Sequence, residues 1–152
     1  MADPLVCVSL EGTTVKEMLD EAARAGIAGA DMIEVRFDRL YLSRPEPTVT
    51  ENEEGEITKT MPPANEWPVR DYADIDVEAS ITALKEGIAL PVIFAVRPVR
   101  EGGHFSGDEG QRLDVLQQGI DSASTWIDLE ISIDADKRGK LMEAAKKASC
   151  KI

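Results

Sequence analysis

Glu34, Arg36, Arg97 and Glu101 are the residues of this chain whose types and positions suit the handling of a small polar ligand. Glu34 and Arg36 are two apart in Met32-Ile33-Glu34-Val35-Arg36-Phe37. Strand alternation puts both side chains on one face, with Met32, while Ile33, Val35 and Phe37 share the other. A glutamate and an arginine on the inward face of a strand are costly unless they pair or meet something polar. Two readings stay open from the residues alone: a structural ion pair at a sheet end, or contacts to a ligand. Arg97 ends the apolar run Val92-Ile93-Phe94-Ala95-Val96 and is followed by Arg100, Glu101 and the pair Gly102-Gly103. Barrels and open α/β sheets place ligand contacts at that end of a strand. Ser9 is the one hydroxyl before the tip of the first strand, either a small polar residue near a strand end or a hydroxyl at the mouth of the sheet. Asp128 and Glu130 repeat the two-apart spacing further on.

The elements that must position these residues alternate strand and helix. Leu5 to Leu10 reads as a strand. Thr13 or Thr14 caps a helix whose apolar stripe is Val15, Met18, Leu19, Ala22, Ala23 and Ile27. The turn Gly29-Ala30-Asp31 leads to a second strand, Met32 to Phe37, parallel to the first. Asp76 caps a helix through Glu86, before the apolar strand Pro91 to Arg97. Ser106 or Asp108 starts a helix with Leu113, Leu116, Gln117 and Ile120 in register. Thr125 to Ile131 is a fourth strand, and Asp134 caps a last helix, Ala135 to Ala148. Ser149 to Ile152 begins a fifth strand. No G-x-G-x-x-G follows the first strand, so the order suits a (β/α)₈ barrel better than an open nucleotide-binding sheet. Residues 1–152 read as one domain. Within it, 39–75 is expected to be a surface insertion, rich in proline and acid, forming a mobile loop or a hairpin around Asn52-Glu53-Glu54-Gly55.

Composition narrows the partners. A formal net charge of −12 disfavours nucleic acid and anionic membranes, which need a basic face. There is no apolar run of about 18 residues and no basic, hydrophobic leader, which points to a cytoplasmic protein. Two cysteines, Cys7 and Cys150, read as buried thiols and not as a disulfide or a metal site.

The motifs also carry a resemblance. Val8-Ser9-Leu10, then Gly29-Ala30-Asp31-Met32-Ile33-Glu34-Val35-Arg36-Phe37-Asp38, then Pro91 through Gly103, then Asp128 and Glu130 run in order along the chain. Together they resemble type I 3-dehydroquinate dehydratase, the Schiff-base enzyme of the shikimate pathway. The resemblance implies a (β/α)₈ barrel, of which this chain covers the first four strand–helix units and the start of the fifth strand. It implies dehydration of 3-dehydroquinate to 3-dehydroshikimate with no metal or dissociable cofactor. By position, Glu34, Arg36 and Arg97 would hold substrate oxygens, Ser9 would line the mouth, and Glu101 would support the family's catalytic histidine. Arginine suits the task because its planar fork donates two hydrogen bonds to one carboxylate. The family's histidine and imine lysine would fall beyond Ile152, and His104 does not match the histidine's position; it reads as an exposed loop residue. The 152-residue chain alone is therefore expected to be inactive. A half barrel exposes strand edges, so a second copy or a C-terminal half is the expected partner. The alternatives are a non-catalytic module binding small carboxylates and, more remotely, a hard-cation site on Glu34, Asp38, Asp128 and Glu130.

Overall fold

The computed structural model describes residues 3–152. Its strands are β1 (Cys7–Ser9), β2 (Met32–Arg36), β3 (Thr48–Glu51), β4 (Ile57–Thr60), β5 (Val92–Ala95) and β6 (Trp126–Ile127). Its helices are α1 (Val15–Ile27), α2 (Val77–Gly87), α3 (Glu109–Asp121) and α4 (Ala135–Lys147). Each helix starts on a side chain that accepts a backbone N–H of its first turn: Thr14 from Glu17, Asp76 from Ala79, Asp108 from Gln111, and Asp134 from Lys137. These caps satisfy donors that the helix itself leaves free.

β1, β2, β5 and β6 form one parallel sheet in that order. Ser9 lies opposite Glu34, Arg36 opposite Ala95, and Phe94 opposite Ile127. Each new strand joins the same edge, so right-handed crossovers keep every helix on one face. That is the winding of a barrel; an open nucleotide-binding sheet reverses direction at a switch point. A further strand begins at the free edge. Ile127 N donates to Lys151 O at 2.8 Å, and Lys151 N donates to Thr125 O at 3.0 Å.

The core fills the space between sheet and helices. Ile33, Val35, Phe94 and Ile127 meet Met18, Ile81, Leu84, Leu116, Ile120 and Leu141. Gly119 lets α3 lie directly on the Phe94 ring, because a Cβ there would stand 2.4 Å from Cδ1. Several expectations shift. Ile27 is 90% exposed: at 100° per residue it falls off the stripe that Met18, Ala22 and Ala25 bury. Cys150 is buried, but Cys7 is exposed, because it alternates with Val8 on an edge strand whose second face carries no helix. β6 holds two residues in place of Thr125 to Ile131. Asp128 N still donates to Phe94 O at 3.0 Å, and then the chain turns, with Ile133 N donating to Glu130 O at 3.1 Å.

Residues 39–75 are of two kinds. β3 and β4 form the antiparallel hairpin, every strand residue exposed, with Asn52 Oδ1 accepting from the Glu54 and Glu56 amides. The surface reading fails at the start of the segment, where Leu40, Tyr41 and Leu42 are core residues. Tyr41 stacks on Tyr72 at 6.1 Å and meets the Phe105 ring edge-on at 5.0 Å. The far end is tied back by Arg70, whose Nη1 donates to Leu40 O at 2.7 Å and Thr13 O at 3.0 Å. Trp67 is held by its Nε1 donating to Pro62 O at 2.7 Å and by Arg44 lying 5.1 Å over its ring. No helix among the described residues is long and apolar enough to cross a membrane.

Candidate functional site

Asp38 organises the polar tip. It is 0% exposed, directly after the 3₁₀ turn begins at Phe37. Its Oδ1 accepts from Arg36 Nε at 2.9 Å and from Arg97 N at 3.1 Å. Its Oδ2 accepts from Arg36 Nη2 at 2.8 Å and from His104 N at 3.0 Å. One carboxylate thus ties the end of β2 to the end of β5 and to the loop beyond it. The Gly102-Gly103 pair makes the loop possible. Gly102 has φ 80°, and a Cβ on Gly103 would stand 2.0 Å from Arg97 O. The chain can fold back onto Arg97 only where that side chain is missing.

Arg36 therefore pairs with Asp38 and not with Glu34. The hydrogen bonds it donates to Asp38 outweigh burial and hold the guanidinium more firmly charged than usual. Glu34 instead accepts from the hydroxyl of Ser9, its register partner on β1. Arg97 is half-buried and anchored through its amide, while its guanidinium enters no ion pair among the described residues. Ser9, Glu34 and Arg36 thus come from the neighbouring strands β1 and β2 and share the sheet face that bears no helix, and Arg97 follows two residues after the end of β5. Glu101 stands apart. It is exposed and accepts from the Ser132 hydroxyl, in the loop between β6 and α4. His104 is half-buried, not exposed as its loop position suggested, and burial lowers its pKa. The Asp38 bond to its amide draws it inward.

A second charged centre was not foreseen. Arg112, only 1% exposed, donates to Glu109 Oε1 at 2.8 Å, Glu130 Oε2 at 2.7 Å and Val96 O at 2.8 Å. Burial opposes its charge, but the bonds to Glu109 and Glu130 outweigh it. Arg112, with help from Arg100, holds the Glu109 carboxyl down at about 2. The Glu109-x-x-Arg112 spacing was the available sequence signal. The carboxylates read as a possible cation set do not assemble. Among the described residues no three His, Cys, Asp or Glu side chains gather as metal ligands, and Asp38 and Glu130 are each engaged by an arginine.

Comparisons with known proteins agree on one family. The family profile for type I 3-dehydroquinase matches residues 6–152. A 3-dehydroquinate dehydratase of Methanothermobacter thermautotrophicus is 31% identical over 127 residues, covering 84% of this chain and 42% of that protein. The chloroplastic bifunctional 3-dehydroquinate dehydratase/shikimate dehydrogenase of Arabidopsis thaliana is 28% identical, covering 90% of this chain and 19% of that one. The solved 3-dehydroquinate dehydratase of Enterococcus faecalis superposes with a TM-score of 0.70 at 21% identity, over 100% of this chain and 52% of that chain. The type I enzyme of Clostridium difficile, solved with covalently modified comenic acid, gives 0.70 at 18%, over 99% and 49%. The chain spans about half the length of these single-function relatives and has the fold of the N-terminal part of their (β/α)₈ barrels. It belongs to the type I 3-dehydroquinase family.

Proposed function

We propose that this chain is the substrate-gripping half of a type I 3-dehydroquinate dehydratase, working with the segment that completes its barrel. The observation that carries the proposal is the Arg97 guanidinium. Among the described residues it enters no ion pair, it stands two residues beyond Ala95, the register partner of Arg36, and its backbone amide is fixed by Asp38. An arginine held in place but unpaired is prepared to take a ligand carboxylate by two parallel hydrogen bonds. Glu34 and Arg36 then hold substrate hydroxyl or ketone oxygens, with Ser9 setting the rotamer of Glu34. Glu101, exposed at the rim, orients a histidine brought by the completing segment.

The reaction needs two further groups. A lysine amine condenses with the substrate ketone, giving an imine and one water. The protonated imine accepts the electron pair when a base removes the adjacent C–H proton. The hydroxyl on the next carbon leaves as water, taking a proton from the histidine, and hydrolysis then returns the lysine and the product. On this reading the base and the lysine come from the segment that completes the barrel, and residues 1–152 supply the substrate-holding side chains.

Borohydride trapping tests this. The chain, near 16.6 kDa, is treated with 3-dehydroquinate and borohydride beside the barrel-completed protein, and intact masses are read. The chain is expected to gain no adduct and to show no turnover, while the completed protein gains one reduced adduct. Turnover by the chain alone at ordinary enzyme rates would sink the division of labour. Saturable binding of 3-dehydroquinate with no adduct in the completed protein would favour a binding module over an enzyme.

A further inference from the structure

A small, partly enclosed apolar cavity lies away from the polar tip, at the opposite end of the same strands. Val35, Ile81, Leu84, Ile88, Val92 and Phe94 line a cavity of about 120 Å³ between the sheet and α2. Its other wall is the turn from α3 to β6, Ser122 to Thr125. Val92 opens β5 and Thr125 precedes β6, whereas Arg36 and Arg97 stand at the strands' far ends. The interior wall is apolar, and α3 packs closely against one side of it. Phe94 is pressed onto α3 at Gly119. Ala123 holds φ 60° without being glycine, a conformation that persists only where the surroundings impose it.

The mouth differs in chemistry. Lys85 is exposed beside the opening and enters no ion pair among the described residues. The half-buried hydroxyls of Ser124 and Thr125 stand at the same rim. Ser122 is already engaged, donating to Gly119 O at 2.7 Å, and its hydroxyl lies 3.4 Å from that of Ser124, which a bound carboxylate would draw away. An apolar chamber with one cation and two hydroxyls at its opening matches a ligand with a flat hydrocarbon body and one anionic end. In size the chamber approaches an engineered apolar cavity of about 150 Å³ that takes benzene.

We infer that this cavity is a binding site for a small aromatic carboxylate, its single ring among Val35, Ile81, Leu84 and Phe94 and its carboxylate at Lys85, Ser124 and Thr125. Such a site is separate from the polar tip and independent of the reading given to it. A carboxylate at the rim keeps most of its hydration, so the lysine adds attraction without a large desolvation cost.

Two probes test the inference by two-dimensional NMR of the isotope-labelled protein: sodium benzoate, and benzene as the uncharged counterpart. Both are expected to give saturable shifts at Val35, Ile81, Leu84 and Phe94, with benzoate the tighter and its Kd on the order of 1 mM or lower. Lys85→Glu, at an exposed position, should leave the spectrum of the free protein and the benzene shifts in place. It should weaken benzoate at least about fivefold by placing like charge at the rim. Leu90→Trp, filling the chamber from its half-buried edge, should remove both. The inference is overturned if neither probe shifts the cavity residues, or if benzoate shifts only Ser9, Glu34 and Arg97. Unchanged benzoate affinity in the Lys85→Glu protein would overturn the assignment of the anionic end.

Discussion

Asp38 and Arg112 are both buried charges at the C-terminal end of the sheet, and they are satisfied in opposite ways. Asp38 collects two backbone amides and one bidentate arginine, so two of its four hydrogen bonds cannot move without moving the main chain. Arg112 collects two side-chain carboxylates and a single carbonyl. It leaves Glu130 Oε1 buried with no hydrogen-bond partner. A charge held by backbone dictates where strand ends and loops lie. A charge held by side chains fastens α3 to the sheet and leaves slack. The difference teaches which centre sets the geometry of the tip: Asp38 does, because it alone fixes the amide of Arg97.

Removing Asp38 should therefore have the largest effect. Asp38→Ala strands the Arg36 guanidinium, 15% exposed, and two backbone donors. The expected loss is about 3–5 kcal/mol of unfolding free energy, measured by urea titration. A loss under about 1 kcal/mol would show that water replaces the carboxylate and that the two centres are equivalent.

Arg112→Ala should cost somewhat less, about 3 kcal/mol, since it strips the buried Glu130 of its arginine while Glu109 keeps its bond to Arg100. The double change Arg112→Met with Glu130→Leu should recover most of that loss, because an apolar pair of similar volume often replaces a buried ion pair without penalty. The same double treatment cannot rescue Asp38, whose partners include main-chain amides. If Arg36→Met with Asp38→Leu proved as stable as the parent, the contrast would collapse.

Much of this was legible in the sequence, and the reasons it stopped are physical. The strand–helix order and the caps at Asp76 and Asp134 follow from periodicity and capping chemistry, whereas Asp108 and the hairpin were each one of two alternatives that the sequence left open. Alternation put Glu34 and Arg36 on one face, but it could not say that Arg36 would turn to a carboxylate two residues on. That choice depends on the 3₁₀ turn beginning at Phe37, which brings Asp38 under the tip. Arg112 was passed over because a helical stripe is read by its apolar members, and a buried arginine looks polar until its two acids are placed. Leu40, Tyr41 and Leu42 were hidden by the prolines and acids that follow, although three large apolar residues in a row are themselves a core signal.

Acid should distinguish the centres more gently. Glu109 is held at about 2 in the fold, below its ordinary 4.5. Its contribution is thus complete above pH 4.5 and is lost as pH falls from there toward 2. The carboxylate is about a third exposed, so screening limits the effect to about 1 kcal/mol. Thermal melting between pH 5 and 2.5 should show this slope, and Glu109→Gln should flatten it. An unchanged slope would mean that Arg112 draws its support from Glu130 alone.

The smallest effect on stability should fall on the residue proposed to grip the ligand. Arg97→Ala removes a guanidinium that enters no ion pair among the described residues, and its backbone amide still reaches Asp38. Its unfolding free energy should change by less than about 0.5 kcal/mol. Arg36→Ala should lose several times that, since it empties both oxygens of the buried Asp38 of their charged partner. Affinity should reverse the order of the arginines. In the barrel-completed protein, Arg97→Ala should weaken 3-dehydroquinate at least about tenfold, the worth of one charge-assisted bidentate contact. Isothermal titration reads the affinity and urea titration the stability. If Arg97→Ala destabilised as much as Arg36→Ala and bound normally, Arg97 would be one more structural charge, and the tip would hold the sheet together without gripping a ligand.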